Sequence, residues 1–279
     1  MLLGAHVSIA GGMTAMLGRM KELGIKTAQI FSRSPRGGKP KPFDPEDLKK
    51  YLRLREEEGI GPIIVHMPYV LNLSAPDEEA FRRAKEMLAE DLARCDQLQA
   101  EYLVVHGGSH RGKGEEFGLK RMAQAIVEVL VDYRGNCQIL LENTAGSGQE
   151  IAYSFAHLRY LLDAIDHPSV HICFDTCHAF AAGYDLRAAP EIEKTLAELD
   201  RTIGLAQVKV IHTNDSKNPL HSRKDRHEHI GMGYIGEEGF RTLLHHPAFQ
   251  NVPFILETPV DERGDFASNL AVLRRLAET

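Results

Sequence analysis

The chain has 279 residues, 43% hydrophobic and 26% charged, with Lys plus Arg 33 against Asp plus Glu 39 for a formal net charge of −6. This is the profile of an ordinary folded protein, and it excludes a disordered, collagenous or coiled-coil chain. The length suits one α/β barrel or two modest domains.

Short β-branched or apolar runs at 2–7, 27–32, 62–67, 102–106, 138–143, 170–175, 208–213 and 253–258 predict strands. Segments with apolar residues at helical spacing fall between them, near 14–23, 45–58, 77–99, 116–133, 151–165, 187–202, 237–245 and 265–277. Two helix starts are legible: Asp44-Pro45-Glu46-Asp47 places an N-cap before proline, and Ala75-Pro76-Asp77-Glu78-Glu79 supplies an acidic first turn. Eight strands alternating strictly with eight helices predict a single closed (β/α)8 TIM barrel over 1–279, active at the C-terminal ends of its strands. A doubly wound open sheet is the alternative, and the placing of the polar residues favours the barrel.

No apolar run approaches the roughly 18–20 residues of a membrane span. Met1-Leu2-Leu3-Gly4-Ala5-His6-Val7-Ser8 lacks the basic and apolar regions of a signal peptide. Cys95, Cys137, Cys173 and Cys177 are too few in so long a chain for a disulfide framework. The expectation is a cytoplasmic protein without membrane attachment, acting as a monomer.

Six strand candidates end in a residue able to bind metal: His66, His106, Glu142, Asp175, His212 and Glu257, in strands three to eight consecutively. One such residue is most simply a hydrogen-bonded strand end; six in succession are not. Burying three carboxylates together without cations would be very costly, and metal is the economical solution. After Asp175 comes His178, and the seventh strand's loop carries Asp225 and His227, two apart and so on one side of an extended segment. These three can close a further site. Five histidines and four carboxylates, with no thiolate, suit zinc, with manganese or iron as alternatives. Three ions fit if one carboxylate bridges, and multi-metal sites of this kind serve phosphoester hydrolysis.

These residues fall in motifs: Gly4-Ala5-His6-Val7-Ser8, Leu141-Glu142-Asn143-Thr144-Ala145-Gly146, Asp175-Thr176-Cys177-His178-Ala179-Phe180-Ala181-Ala182-Gly183, His212-Thr213-Asn214-Asp215, Asp225-Arg226-His227 and Leu256-Glu257-Thr258. Over essentially its full length the chain resembles the endonuclease IV family of apurinic/apyrimidinic DNA-repair endonucleases. The resemblance implies three zinc ions. His66 and His106 would hold the first, and Asp175, His212 and Glu257 the second. Glu142 would bridge these two, and His178, Asp225 and His227 would hold the third. It also implies that Arg36 and Tyr69, with Val70 beside them, enter the base stack at an abasic site. Gly37-Gly38 and the small Val70 depart from the bulkier residues expected there and leave the depth of the wedge open.

The net charge alone argues against a nucleic-acid partner, but three divalent ions add +6 to −6. Ten of the 33 basic residues fall in three loops on the metal face: Arg33, Arg36, Lys39 and Lys41; Arg111 and Lys113; Lys217, Arg223, Lys224 and Arg226. That distribution suits a phosphate-backbone track.

Gly231-Met232-Gly233-Tyr234-Ile235-Gly236 matches a dinucleotide fingerprint but follows the Asp225/His227 loop rather than a strand, so no nucleotide cofactor is expected. Cys173 reads as barrel core, and His6 and His110 as supports near the mouth or phosphate contacts. The reading is a hydrolase that cuts duplex DNA 5′ of abasic sites to leave a 3′-hydroxyl and trims blocked 3′ ends. Water would be activated at the first two ions and oriented by Glu142. The alternatives are a two-metal sugar isomerase on the same barrel and a non-catalytic zinc protein that binds DNA lesions.

Overall fold

The computed structural model describes residues 1–36 and 38–279, so Gly37 lies outside the described residues. Eight parallel strands close on themselves: β1 (Leu2–His6), β2 (Thr27–Ile30), β3 (Ile63–His66), β4 (Tyr102–Val105), β5 (Gln138–Glu142), β6 (Val170–Asp175), β7 (Val208–His212) and β10 (Pro253–Leu256), in the spatial order β1-β10-β7-β6-β5-β4-β3-β2. This is the predicted barrel. Outside it lie α1 (Met13–Leu23), α2 (Pro45–Glu57), α3 (Glu78–Leu98), α4 (Glu115–Asp132), α5 (Phe155–Ile165), α7 (Ala189–Thr202), α8 (Gly236–His245) and α9 (Phe266–Glu278).

The alternation is not strict. A seven-residue helix, α6 (Thr176–Ala182), starts directly at the end of β6, and a two-stranded antiparallel hairpin, β8 (Asp215–Ser216) with β9 (His227–Glu228), interrupts the seventh crossover. Helix starts follow local chemistry. Asp44 and Asp77 cap α2 and α3 as read from the sequence, and Asp265 and Ser268 form a capping box on α9. The helix expected from 151 begins at Phe155, after a Ser154 cap. Asp47 caps a neighbouring helix as well, accepting from the amides of Met13 and Thr14 at 2.6 and 3.1 Å.

Two apolar layers result. The larger lies between the barrel and its helices; the smaller, inside the barrel, is Ile64, Val104, Leu140, Cys173, Val210 and Ile255, one from each of β3, β4, β5, β6, β7 and β10. Strand side chains alternate faces, so the residue two further along each strand also points inward, one layer nearer the C-terminal mouth. Those residues are His66, His106, Glu142, Asp175, His212 and Glu257. On β1, Gly4 admits the neighbouring strand: a Cβ there would lie 2.5 Å from the Thr27 carbonyl oxygen and 2.7 Å from Ile255 Cδ1.

Candidate metal centre

The six strand-end side chains converge in the mouth of the barrel, with Glu142 at the centre. Glu142 Oε2 lies 3.1 Å from His66 Nε2 and 2.8 Å from His106 Nε2, while Oε1 lies 3.0 Å from His212 Nδ1 and 3.2 Å from His178 Nδ1. Burial pushes the Glu142 carboxyl up, but the imidazoles around it, His106 and His212 foremost, outweigh burial and hold it well below the usual carboxylate range.

Glu257 Oε2 lies 3.3 Å and Asp175 Oδ2 3.9 Å from His212 Nδ1. A third group forms where α6 meets the hairpin excursion, with Asp225 Oδ1 3.2 Å from His178 Nε2 and 3.4 Å from His227 Nε2. Among the described residues, the sets with ligand atoms within 4.8 Å of one another include His66, His106 and Glu142; Glu142, Asp175, His212 and Glu257; His178, Asp225 and His227; and, across the first two, His66, His212 and Glu257. Asp175, Cys177 and His227 also meet that criterion, but burial pushes the Cys177 thiol up to about 12, which keeps it protonated and a poor donor.

Neighbouring groups fix how these side chains stand. His66, His178 and His227 place Nδ1 against the carbonyls of Met67, Asn143 and Glu257 at 2.7, 2.9 and 3.2 Å, which leaves Nε2 free to ligate. Asn143 brackets the Asp175 backbone, accepting from its amide at 2.7 Å and donating to its carbonyl at 2.9 Å. Asn214 Nδ2 donates to Asp175 Oδ2 at 2.8 Å, and its Oδ1 accepts from the Glu257 amide at 2.8 Å. The donor set suits a divalent ion. His178 Nε2 and His227 Nε2 are buried without a hydrogen-bond partner although both face Asp225, an arrangement that a shared cation would satisfy.

The mouth opens into a cavity of about 580 Å³ lined by six of these donors, His66, His106, His178, Asp225, His227 and Glu257, together with His6, Phe31, Tyr69, Glu150 and Phe266. A larger hollow, about 900 Å³, lies at the opposite end near α3 and the α4–β5 turn. The Asp96 carboxylate there already accepts from Tyr133 Oη and the Asn136 amide, so no chemistry converges on it.

The matching family model, described as a xylose isomerase-like TIM barrel, covers residues 17–276. A probable endonuclease 4 of Carboxydothermus hydrogenoformans is 48% identical over 278 residues, covering 100% of this chain and 97% of that protein. One of Methanoculleus marisnigri is 47% identical, covering 99% of each. The crystal structure of endonuclease IV from Thermus thermophilus superposes with a TM-score of 0.88 at 36% identity, covering 100% and 99% of the two chains. The chain belongs to the endonuclease IV family of apurinic/apyrimidinic DNA-repair endonucleases.

As an endonuclease IV it is an enzyme whose substrate is DNA, and its candidate metal clusters fit a metal-dependent hydrolase. Around the mouth, Arg36, Lys224 and Arg226 are exposed, and Tyr69 and Val70 stand 60% and 54% exposed. Two basic residues make contacts within the protein. Arg33, counted with the phosphate track from its loop position, is buried: Nε donates to Asp91 Oδ1 at 2.8 Å and Nη1 to Glu90 Oε2 at 2.9 Å. Arg223 lies with its guanidinium 4.0 Å over the Tyr153 ring, and its carbonyl accepts from Ser147 Oγ at 3.0 Å, so it ties the hairpin excursion to the loop after β5.

The glycine run at 231–236 wraps the Asp215 carboxylate, which accepts from the amides of Gly231, Gly233, Ile235 and Gly236 at 2.9–3.2 Å. Its anion nest is filled by the chain itself. A Cβ on Gly233 would lie 2.4 Å from the Ser216 carbonyl oxygen. His110 caps its own loop, accepting from the Gly114 amide at 3.0 Å. Sequence reasoning missed Gln29. It is buried on β2, in register with His6, and touches both His212 and Glu257. A lone glutamine two residues beyond Thr27 in the apolar run Thr27-Ala28-Gln29-Ile30 was the available signal.

No helix among the described residues is long and apolar enough to cross a membrane.

Proposed function

We propose that this endonuclease hydrolyses the phosphodiester 5′ of abasic sites in duplex DNA, leaves a 3′-hydroxyl, trims blocked 3′ ends, and works with three zinc ions. His66 and His106 would hold one ion, and Asp175, His212 and Glu257 a second. Glu142 would be shared between them, and His178, Asp225 and His227 would hold the third. Held there, divalent ions supply an activated water and charge compensation at the departing 3′-oxygen. Glu142, kept ionised among four imidazoles, is the acceptor that orients the attacking water. Tyr69, Val70 and Arg36, exposed at the rim, enter the stack where a missing base makes unstacking cheapest. Arg223, Lys224 and Arg226 follow the phosphates, and Arg223 also holds their loop in place. With every donor drawn from one barrel domain, 1–279, a monomer suffices, and a DNA substrate suits a cytoplasmic enzyme.

The observation that carries this reading is the third cluster, with its unpartnered His178 and His227 nitrogens beside the strand-end ring. A two-metal sugar isomerase has no use for it. The test is incubation of zinc-loaded protein with a duplex bearing one abasic site. A nick on the 5′ side, with a 3′ end that a polymerase extends, is expected, and a chelator should abolish it. An uncut lesion, or equal cutting of the intact duplex, overturns the reading.

A further inference from the structure

Six proposed donors lie two residues beyond the interior layer, and β1 and β2 continue the same ring with His6 and Gln29, which face each other in register. The buried Gln29 amide reaches three ring members at once. Its Oε1 faces His212 Nε2 at 2.7 Å, and its Nε2 donates to Glu257 Oε1 at 2.6 Å and to His6 Nδ1 at 3.0 Å. A carboxylate only accepts, so the NH₂ must face Glu257 and the oxygen must face His212. His212 therefore donates from Nε2 to Gln29, which leaves Nδ1, 3.0 and 3.3 Å from Glu142 and Glu257, as the nitrogen that would face an ion held among these groups. His66, His178 and His227 do the reverse, and each is oriented by a backbone carbonyl. Among these four, His212 alone depends on a side chain.

We propose that Gln29 is a positioning residue that sets the tautomer of His212 and the pose of Glu257, and so completes the second ion's site. This rests on the reading of His212 and Glu257 as metal donors. Main-chain carbonyls hold His66, His178 and His227 whatever the side chains do, whereas loss of the Gln29 amide frees His212 to place its proton on Nδ1, where it blocks ligation. Removing such an outer support typically costs 10–100-fold in metal affinity.

Gln29→Met keeps the volume and removes every polar contact; Gln29→Glu keeps an acceptor for His212 Nε2–H. Zn²⁺ affinity is read by competition with a chromophoric chelator, imidazole tautomers by ¹⁵N–¹H NMR of the zinc-loaded protein, and packing by the unfolding midpoint of the metal-free protein. In Gln29→Met one ion should be held about 10–100-fold less tightly with the others unchanged. The His212 Nε2–H signal should be lost in Gln29→Met and kept in Gln29→Glu, with little change in the metal-free midpoint. Unchanged zinc affinity and tautomers in Gln29→Met would overturn the proposal. So would uniform weakening of all ions together with a lowered metal-free midpoint, which marks Gln29 as packing only. Wild-type protein that holds no zinc would instead overturn the donor assignment itself, a distinguishable failure.

Discussion

Replacing Arg33 with methionine should destabilise the protein without altering how it follows the DNA backbone. Arg33 lies in a loop with Arg36 and Lys39, yet its side chain is 1% exposed and paired with Asp91, which is fully buried on α3. Ser32 Oγ also donates to Asp91 Oδ1 at 3.0 Å, and Arg94, whose Nε donates to Ser32 Oγ at 3.1 Å, stacks 3.9 Å from the Phe43 ring. Without Arg33, Asp91 must stay buried as an unpaired charge or take up a proton. Burial already pushes its pKa up from 3.8. Protonating at pH 7 a group with that ordinary pKa costs about 4 kcal/mol, at about 1.4 kcal/mol per pH unit. This bounds the loss and agrees with the ~3–5 kcal/mol for breaking a buried pair. At about 2 °C per kcal/mol for a chain this long, the unfolding midpoint should fall by roughly 8 °C. Glu90→Gln, at the exposed end, should cost under about 1 kcal/mol. Thermal unfolding of zinc-loaded protein and salt-dependent binding to intact duplex read both effects. A midpoint within about 2 °C of wild type together with a salt slope lower by about one would instead make Arg33 a phosphate contact.

Glu142→Gln should lower single-turnover cleavage by several orders of magnitude, each tenfold being about 1.4 kcal/mol, while duplex binding survives; a loss under about tenfold contradicts its role. Tyr69→Ala should cost roughly 1–3 kcal/mol of affinity for abasic duplex and little for intact duplex. Lys224→Ala should weaken both alike and reduce the salt slope by about one, and equal losses on both duplexes for Tyr69→Ala would withdraw the wedge. In metal-free protein, burial lowers the His178 pKa, but Asp175 and Asp225 outweigh it and hold the imidazole well above its ordinary 6.5. The stability from that pairing should be complete below about pH 6.5 and lost as pH rises through the raised folded value. Zinc needs the neutral imidazole, so loading should release protons and remove this alkaline loss. Denaturant unfolding of both forms at pH 6 and 9 checks it, and a metal-free protein equally stable at both contradicts it.

The barrel and most of its mouth were legible because period-two alternation is a local property. Each polar strand end sits two residues beyond an apolar interior residue, as His66 does beyond Ile64 and Glu142 beyond Leu140. Gln29 lies two residues beyond the buried but polar Thr27, and glutamine is not a usual metal ligand, so a search for apolar layers and ligand types passes over it. Arg33 could not be read because its partner, Asp91, lies 58 residues away on α3. Helix α6 was hidden because Asp175 ends the strand and caps the helix at once, its Oδ1 accepting from the His178 amide at 2.7 Å, with no loop between to signal a boundary. The hairpin of two-residue strands is too short to show a period.

A third metal site built on the hairpin excursion would set this endonuclease apart from a two-metal sugar isomerase on the same barrel. Its most direct test is elemental analysis of purified wild-type protein and of Asp225→Ala/His227→Ala, each assayed on abasic duplex. About three zinc ions per wild-type chain are predicted, with one fewer in the variant and a large loss of nicking. Two ions in both proteins, with nicking unchanged, would rule out the third site.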